Sequence, residues 1–245
     1  MKLDYLKGKS LLELIVELPK FEWKLNDGIR LIKTQINMLM FVYYQSIKPR
    51  DDVDLYNHVD TSKGITLKDL SFIEKEKQRF VGLISKVQLG QPFEEYEHRF
   101  AHIPMMDFDM DYDFSFMNEK EKLELIKKNI KESTEIDAGV ILRSGPKQNY
   151  HFIGIGRLLS ATDLITFIGL ALGMHYKKDG RKINLADSRH LGHALSPMKY
   201  MAQVENDFEP DAHWSSYFFA DRFITLRITP KKGYETFPTV IDVLK

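Results

Sequence analysis

Four aspartates alternate with four large apolar residues between positions 107 and 114. The aspartates take the odd positions and the apolar residues the even ones, as Asp107, Asp109, Asp111 and Asp113 against Phe108, Met110, Tyr112 and Phe114. In a β-strand, this period would place the carboxylates on one face, about 7 Å apart. Such a density of carboxylates favours a hard cation such as Mg²⁺, Mn²⁺ or Ca²⁺. The pattern therefore predicts a metal site on Asp107 and Asp109, and the alternative is a solvated strand face that runs into a loop.

Two-metal phosphoryl or nucleotidyl transfer would need a further carboxylate from a distant segment. The carboxylates must bridge two cations, and each cation must keep open coordination positions. Asp187, which follows an apolar run in the segment INLADSRHLGHALSP, is the predicted third acid. The alternative role of Asp187 is the N-cap of the helix that follows it.

The segment ILRSGPKQNYHFIG contains a second group of polar residues, around a turn. A Ser-Gly turn can direct backbone amides at an anion, and neighbouring basic side chains add charge. The predicted phosphate-binding residues of this segment are Arg143, Ser144, Lys147, Asn149 and His151. The alternative is a plain hairpin loop followed by a core histidine.

Two later segments carry further candidate phosphate ligands. His190 and His193 lie three residues apart on a predicted helix and could share a transition metal. The helix lacks the carboxylate of a zinc peptidase, so Arg189 and His190 fit better as groups that hold a metal-bound phosphate. Arg227, on the polar face of the alternating strand DRFITLRIT, is predicted to point at the same anion. The alternative is that Arg227 is an exposed strand residue without a ligand.

The bulk composition narrows the class of protein. Lysine plus arginine and aspartate plus glutamate number 35 each, so the net charge favours neither nucleic acid nor membrane, and polyanion binding would need a local patch. The absence of cysteine excludes disulfides and thiolate chemistry. The first ten residues lack the apolar core of a signal peptide, and the longest apolar run, 38–44, is too short for a membrane span. We expect a cytoplasmic protein without membrane contact.

The predicted secondary structure changes near position 95, from helices alone to a mixture of strands and helices. Residues 1–95 are predicted to be helical, with helices over 10–18, 27–47 and 66–90. Residues 96–245 are predicted to hold strands near 99–108, 138–142, 149–156, 221–229 and 236–244, with helices over 118–132 and 160–176. The run LITFIGLALG is apolar nearly all round and predicts deep burial of the second helix. This order of elements predicts an α+β fold with a mixed or mainly antiparallel sheet.

In their order along the chain, these motifs resemble the archaeo-eukaryotic primase superfamily of primases, primase-polymerases and many plasmid and phage replication proteins. That family carries Asp-x-Asp on a strand, a Ser-Gly segment leading to His, and a later Asp after apolar residues. The matching residues are Asp107 and Asp109, then Ser144, Gly145 and His151, then Asp187. Asp111 and Asp113 could form the Asp-x-Asp motif in place of Asp107 and Asp109. Asp221 could take the place of Asp187 as the later Asp. The second glycine that usually precedes the motif-two histidine is absent.

The resemblance implies a sheet core of primase (RRM-like) type flanked by helices in 96–245, with 1–95 as a helical appendage. It also implies Mg²⁺ or Mn²⁺ on Asp107, Asp109 and Asp187, and a triphosphate held by His151 and Lys147. The implied function is nucleotidyl transfer to a 3′-hydroxyl in DNA replication. The expected partners are nucleoside triphosphates and single-stranded or primed DNA, with a protein partner at the N-terminal region. The alternatives are an inactive primase-like module that binds nucleotides or assembles with other proteins, and a metal-dependent nuclease.

Overall fold

Antiparallel strand pairing dominates the structure, a computed structural model that describes residues 2–26, 31–44, 53–76, 78–90, 100–110, 113–145, 149–195, 223–230 and 236–245. The strands are β1 Trp23–Asn26, β2 Leu31–Thr34, β3 Ile36–Tyr44, β4 Val53–Asp60, β5 Phe80–Ile84, β6 Lys86–Leu89, β7 Phe100–His102, β8 Met105–Asp109, β9 Gly139–Arg143, β10 Asn149–Gly154, β11 Arg157–Leu158, β12 His175–Lys178, β13 Arg181–Asn184, β14 Thr225–Arg227 and β15 Thr239–Leu244. The α-helices are α1 Leu11–Glu17, α2 Ser71–Lys75, α3 Glu119–Ser133, α4 Ala161–Gly173 and α5 Ser188–Ala194.

The strands form four sheets. A four-stranded sheet has the order β15-β9-β10-β8, and a six-stranded sheet has the order β14-β5-β3-β6-β7 with β4 on β3. A three-stranded sheet, β11-β1-β2, contains the parallel pair β1–β11, and β12 and β13 form a separate hairpin. The prediction of an α+β fold with mixed or antiparallel sheets is confirmed.

The four-stranded sheet has one face covered by α3. Arg143 and Tyr150 are cross-strand partners on β9 and β10, and both bond to Glu119 of α3. At the other end of this strand pair Gly139 lies opposite Gly154, where a Cβ on Gly139 would come within 2.5 Å of the Phe152 ring. Glycine is required there because the strand backbone and the ring share that space.

The helical prediction for residues 1–95 is wrong over most of its length. The described part of the predicted helix 27–47 forms β2 and β3, and the predicted helix 66–90 ends at Lys75 and is followed by β5 and β6. Every residue of β3 from Leu39 to Tyr43 is buried, because β3 pairs on both edges and packs on both faces. A continuous apolar run of this kind satisfies a helical period by chance. The N-terminal region proposed to bind a protein partner therefore consists mainly of strands, with the short helices α1 and α2, and strands from both sides of position 95 pair in the six-stranded sheet.

The predicted helix starts are confirmed where a capping residue marks them. Ser10 and Glu13 form a reciprocal capping box at α1, and Asn118 and Glu121 form another at α3. The Ser160 side chain accepts from the Asp163 amide and begins α4. The outer face of α4 contradicts the expected deep burial, since Ile165, Leu170 and Leu172 are exposed.

A large hydrophobic core connects the sheets and helices. It extends from Leu3 and Trp23 near the N-terminus through Phe108 and Phe152 in the four-stranded sheet to Leu244. Among the described residues, a second, smaller cluster is formed by Met40, Val42 and Ile84. No helix in the described part of the chain is long and apolar enough to cross a membrane.

Asp242 on β15 joins two distant parts of this fold and provides a test of it. Lys7 and Lys127 each place Nζ 2.9 Å from one of its carboxylate oxygens. Burial alone would raise the pKa of Asp242, but the hydrogen bonds from both lysines outweigh burial and lower it. A carboxyl group whose pKa is lower in the folded state than in the unfolded state stabilises the fold at pH values above its unfolded pKa, which is 3.8 for Asp242. That stabilisation is lost as the pH falls through the folded-state pKa.

We expect Asp242→Asn to lower the free energy of unfolding by about 1 kcal/mol at pH 7, because it removes two charge-assisted bonds. The difference from wild type should shrink below the unfolded pKa of 3.8. Urea unfolding at pH 7 and pH 3 measures both effects. The exposed carboxylate of Asp137 supplies the control, Asp137→Asn, which should change stability by less than about 0.5 kcal/mol. Equal losses in the two variants at pH 7 would contradict this role of Asp242.

Candidate functional site

The register between β8 and β10 brings the first two motifs together. Asp107 lies directly opposite His151, and Asp109 lies opposite Asn149. Cross-strand partners share a face of the sheet, and this face is the one opposite α3. The alternation predicted for 107–114 is confirmed over 107–110, because Phe108 and Met110 are fully buried while Asp109 is exposed, but the strand ends at Asp109.

Asp187 reaches the same strand from its free edge. Ala186 forms an antiparallel bridge with Phe108, and the Asp187 amide donates to the Asp107 carbonyl oxygen at 2.8 Å. The bridge therefore places Asp187 opposite Asp107. The Asp187 Oδ1 also accepts the His190 amide at 3.2 Å, so Asp187 caps α5. The alternative predicted for Asp187, capping of the following helix, is present in the structure, while its role as the third metal-binding acid stays a prediction.

His151 is a buried, neutral member of this group. Its side chain is 3% exposed, and its Nε2 lies 3.9 Å from Oδ1 of Asp107. Burial, together with the positive charges of Arg227 and His190, holds the pKa of His151 well below its usual value. The Nδ1 atom has no hydrogen-bond partner among the described residues. An unsatisfied buried nitrogen costs about 1–3 kcal/mol, so a ligand that bonded to it would recover that loss.

Arg227 comes to this face from the six-stranded sheet. Its Nη2 donates to the Ser144 carbonyl oxygen at 3.1 Å, and its guanidinium carbon lies 5.8 Å from the centre of the Phe80 ring. Ser144 is itself buried, and its amide bonds to the Asn149 carbonyl oxygen at 2.9 Å, which closes the hairpin. The contact between Arg227 and Ser144 thus connects the last predicted phosphate ligand to the motif-two turn.

Arg143 does not join this group. It pairs with Glu119 on the α3 face, whereas His151, at the adjacent register position, faces the opposite side. Asp113 lies in the turn after β8, and so is not on the acidic strand, although it lines the same cleft as Asp109. Lys147, Asp111 and Asp221 lie outside the described residues, and the side chains of Arg189 and His193 on α5 are likewise not described.

An open cleft of about 940 Å³ runs beside the acids. Asp109, Asp187 and Asp113 contribute acidic side chains to its wall. The β12–β13 hairpin contributes Lys178, Arg181 and Lys182 to the same lining, together with Asp179 of its turn. The predicted site residues did not include this segment, although its run KKDGRK contains four cations, a pattern that can indicate an anion-binding surface.

The donor chemistry of this face suits a hard divalent cation. Asp107, Asp109 and Asp187 offer carboxylate oxygens from a strand and from the segment bridged to it. Within the described ranges, no group of three or more His, Asp or Glu side chains could hold a metal ion by itself. Mg²⁺ is commonly held by one or two carboxylates together with substrate phosphates and water, which is a smaller demand on the protein.

Comparison of the chain with protein-family models, curated proteins and solved structures gave no significant match.

The electrostatic coupling between Arg227 and His151 can be measured directly. Arg227→Gln should raise the pKa of His151 because it removes a nearby positive charge, while burial should keep that pKa below the usual value of 6.5. Imidazole nitrogen shifts followed by NMR against pH would report the change. Arg157→Gln is the control, since Arg157 bonds to Glu135 instead. The same His151 titration in wild type and Arg227→Gln would contradict the coupling.

Proposed function

We propose that this protein performs metal-dependent nucleotidyl transfer, in which a 3′-hydroxyl attacks the α-phosphate of a nucleoside triphosphate. The bond from the α-phosphate to the bridging oxygen breaks, pyrophosphate leaves, and the hydroxyl proton passes to water. The observation that carries the proposal is that Asp107, Asp109, Asp187 and His151 meet around β8, where Asp109 and Asp187 line an open cleft. The order of these residues along the chain, which resembles the primase superfamily, gives independent support for the same chemistry. Carboxylates from different segments next to a basic cluster are what such a reaction requires.

Asp107, Asp109 and Asp187 would hold Mg²⁺ or Mn²⁺ together with phosphate oxygens of the substrate. The bound cations would lower the pKa of the attacking hydroxyl and neutralise charge that develops on the α-phosphate. Asp187 would present the carboxylate oxygen that does not cap α5. Because its backbone is bonded to Asp107 at 2.8 Å, its position relative to the acidic strand is held by the sheet itself.

His151 and Arg227 would bind the triphosphate. A neutral imidazole can donate one N–H to a phosphate oxygen, and burial at 3% exposure keeps water from competing for that bond. Arg227 would supply the positive charge, and its bond to Ser144 orients the guanidinium beside His151. These side chains therefore stabilise negative charge on the substrate without moving a proton themselves.

Replacing both strand acids tests the metal role. Asp107→Ala with Asp109→Ala should reduce Mg²⁺- or Mn²⁺-dependent incorporation of labelled nucleotide on a primed strand by about 100-fold or more. Both ribo- and deoxynucleotides should be assayed. Asp113→Ala is the matched control, because Asp113 lines the same cleft but lies beyond the strand, and it should retain most of the activity. Undiminished extension by the double variant would refute the proposal, and metal-dependent shortening of the strand without nucleotides would indicate a nuclease.

The two roles of Asp187 can be separated with two substitutions. Asp187→Asn keeps a good N-cap and should retain stability while it loses incorporation, since the amide is a poor ligand for a hard cation. Asp187→Ala should lose incorporation and also about 1 kcal/mol of stability. Thermal unfolding and the incorporation assay together measure both effects. Normal incorporation by Asp187→Asn would restrict Asp187 to helix capping.

A second candidate function is binding of a nucleoside triphosphate without transfer. It is favoured by one observation, the use of Asp187 Oδ1 by the His190 amide, which leaves fewer oxygens for cations. On this hypothesis the basic residues bind the phosphates and the acids hold a single Mg²⁺.

Calorimetry distinguishes this second function from the first. Titration of ATP with Mg²⁺ should show binding that Arg227→Gln weakens by about 10-fold, as expected for the loss of a charged hydrogen bond. Arg157→Gln should bind as wild type does. Binding without incorporation under any combination of metal, strand and nucleotide would support the second function. Absence of binding to wild type would exclude both functions.

A further inference from the structure

The β12–β13 hairpin opposes like charges across its two strands. Lys177 lies directly opposite Lys182, and Lys178 lies directly opposite Arg181. Its turn, Asp179 and Gly180, has positive φ at both positions, 50° and 76°, as a tight two-residue hairpin turn requires. The register is therefore set by the turn, and it brings the cations together although directly opposed like charges destabilise a strand pair.

These four cations have no carboxylate partners within the part of the chain that the structure describes. None of them forms an ion pair with a described residue. The protein has no net charge, so this positive hairpin is a local feature and does not reflect the composition. An anionic ligand that contacted several of these side chains would relieve their repulsion.

An exposed aromatic ring lies next to this charge. Phe116 is 44% exposed, and Lys178 places its Nζ 3.5 Å from the centre of the ring. The Phe116 ring centre lies 6.2 Å from that of the buried Phe114, on which it stacks, and 6.0 Å from that of Tyr176 on β12, so two aromatic neighbours hold the ring while the Lys178 ammonium lies over its face. A supported, exposed ring is a platform on which a planar group can stack.

The cations extend from this ring into the cleft that contains the acids. Lys178, Arg181 and Lys182 line the cleft together with Asp109 and Asp187. A ligand bound to the hairpin would therefore reach the candidate metal site without leaving the cleft.

We propose that the β12–β13 hairpin and Phe116 bind a single strand of nucleic acid and direct it into the cleft. A single strand offers unpaired bases for Phe116 and regularly spaced phosphates for Lys178, Arg181 and Lys182. A duplex hides its base faces, and an anionic membrane or acidic protein would use the cations alone. The inference rests on the proposed function in that the strand is the substrate of the same site, but strand binding itself requires neither metal nor nucleotide.

The test is fluorescence anisotropy of a fluorescein-labelled oligothymidine of 20 nucleotides, measured in EDTA at several salt concentrations. The triple variant Lys178→Gln, Arg181→Gln, Lys182→Gln should bind at least about 10-fold more weakly, with a salt slope lower by about 2, since each phosphate contact on a single strand contributes about 0.7. Phe116→Ala should weaken binding by about 10-fold and leave the salt slope unchanged. Phe116→Tyr, which keeps the ring, should bind as wild type does.

A charge-matched control distinguishes the effect of the hairpin cations from the effect of removing any three positive charges. Lys24→Gln, Lys63→Gln, Lys68→Gln removes three exposed cations outside the cleft and should leave affinity within about 2-fold. Equal weakening by both triple variants would overturn the proposal. A duplex of the same length bound as tightly as the single strand, or anionic vesicles bound with the same dependence on the hairpin cations, would also overturn it. Unfolding midpoints close to wild type would show that the variants are folded.

The outcome can be read independently of catalysis. If Asp107→Ala with Asp109→Ala binds the strand normally and wild type incorporates no nucleotide, the platform stands and the proposed function fails. If wild type incorporates nucleotide while the hairpin and Phe116 variants bind the strand normally, the proposed function stands and the platform is excluded.

Discussion

The pairing of β8 with β10 on one edge and with the segment at Ala186 on the other determines which side chains can meet in this protein. A sheet register admits no gradual change, since a slip of one residue would turn every side chain of β8 to the opposite face. In the observed register the apolar residues of β8 enter the core, and Asp107 and Asp109 face away from α3. The stability of the core and the arrangement of the candidate site therefore depend on the same backbone hydrogen bonds.

Charge separation is the second feature of this region. The acids lie along β8 and its bridged edge, while Arg227 and the β12–β13 hairpin provide positive charge around them. A chain with equal numbers of acidic and basic residues thus has opposite charges on neighbouring walls of one cleft. This arrangement suits a ligand that brings both cations and phosphates, because each wall then meets a complementary charge. It also explains why net charge alone is a poor guide to whether this protein binds polyanions.

Sequence patterns predicted the elements well where a specific local interaction marks them. Ser10 and Asn118 begin helices because their side chains accept amides in reciprocal capping boxes, which the sequence displays directly. Patterns failed in β3, where burial on both faces produces an uninterrupted apolar run whose period is ambiguous. They also failed on α4, where Ile165, Leu170 and Leu172 are exposed despite the apolar sequence. Hydrophobicity reports the tendency of a residue to be buried, whereas the neighbours available to bury it are a property of the whole fold.

The sequence by itself determined the acidic alternation at 107–110, the hairpin that presents Ser144 and His151, and the carboxylate at the start of α5, because each depends on residues close together in the chain. Only the tertiary structure decided that Asp187 lies against Asp107, that Arg143 turns away to Glu119, and that Arg227 crosses from another sheet to Ser144. The sequence shows the cations of the β12–β13 hairpin, but only the tertiary structure shows that they lie near Asp109, because this is a contact between distant segments. Such contacts follow from strand register and sheet packing, which depend on the whole chain at once and leave no local pattern in the sequence.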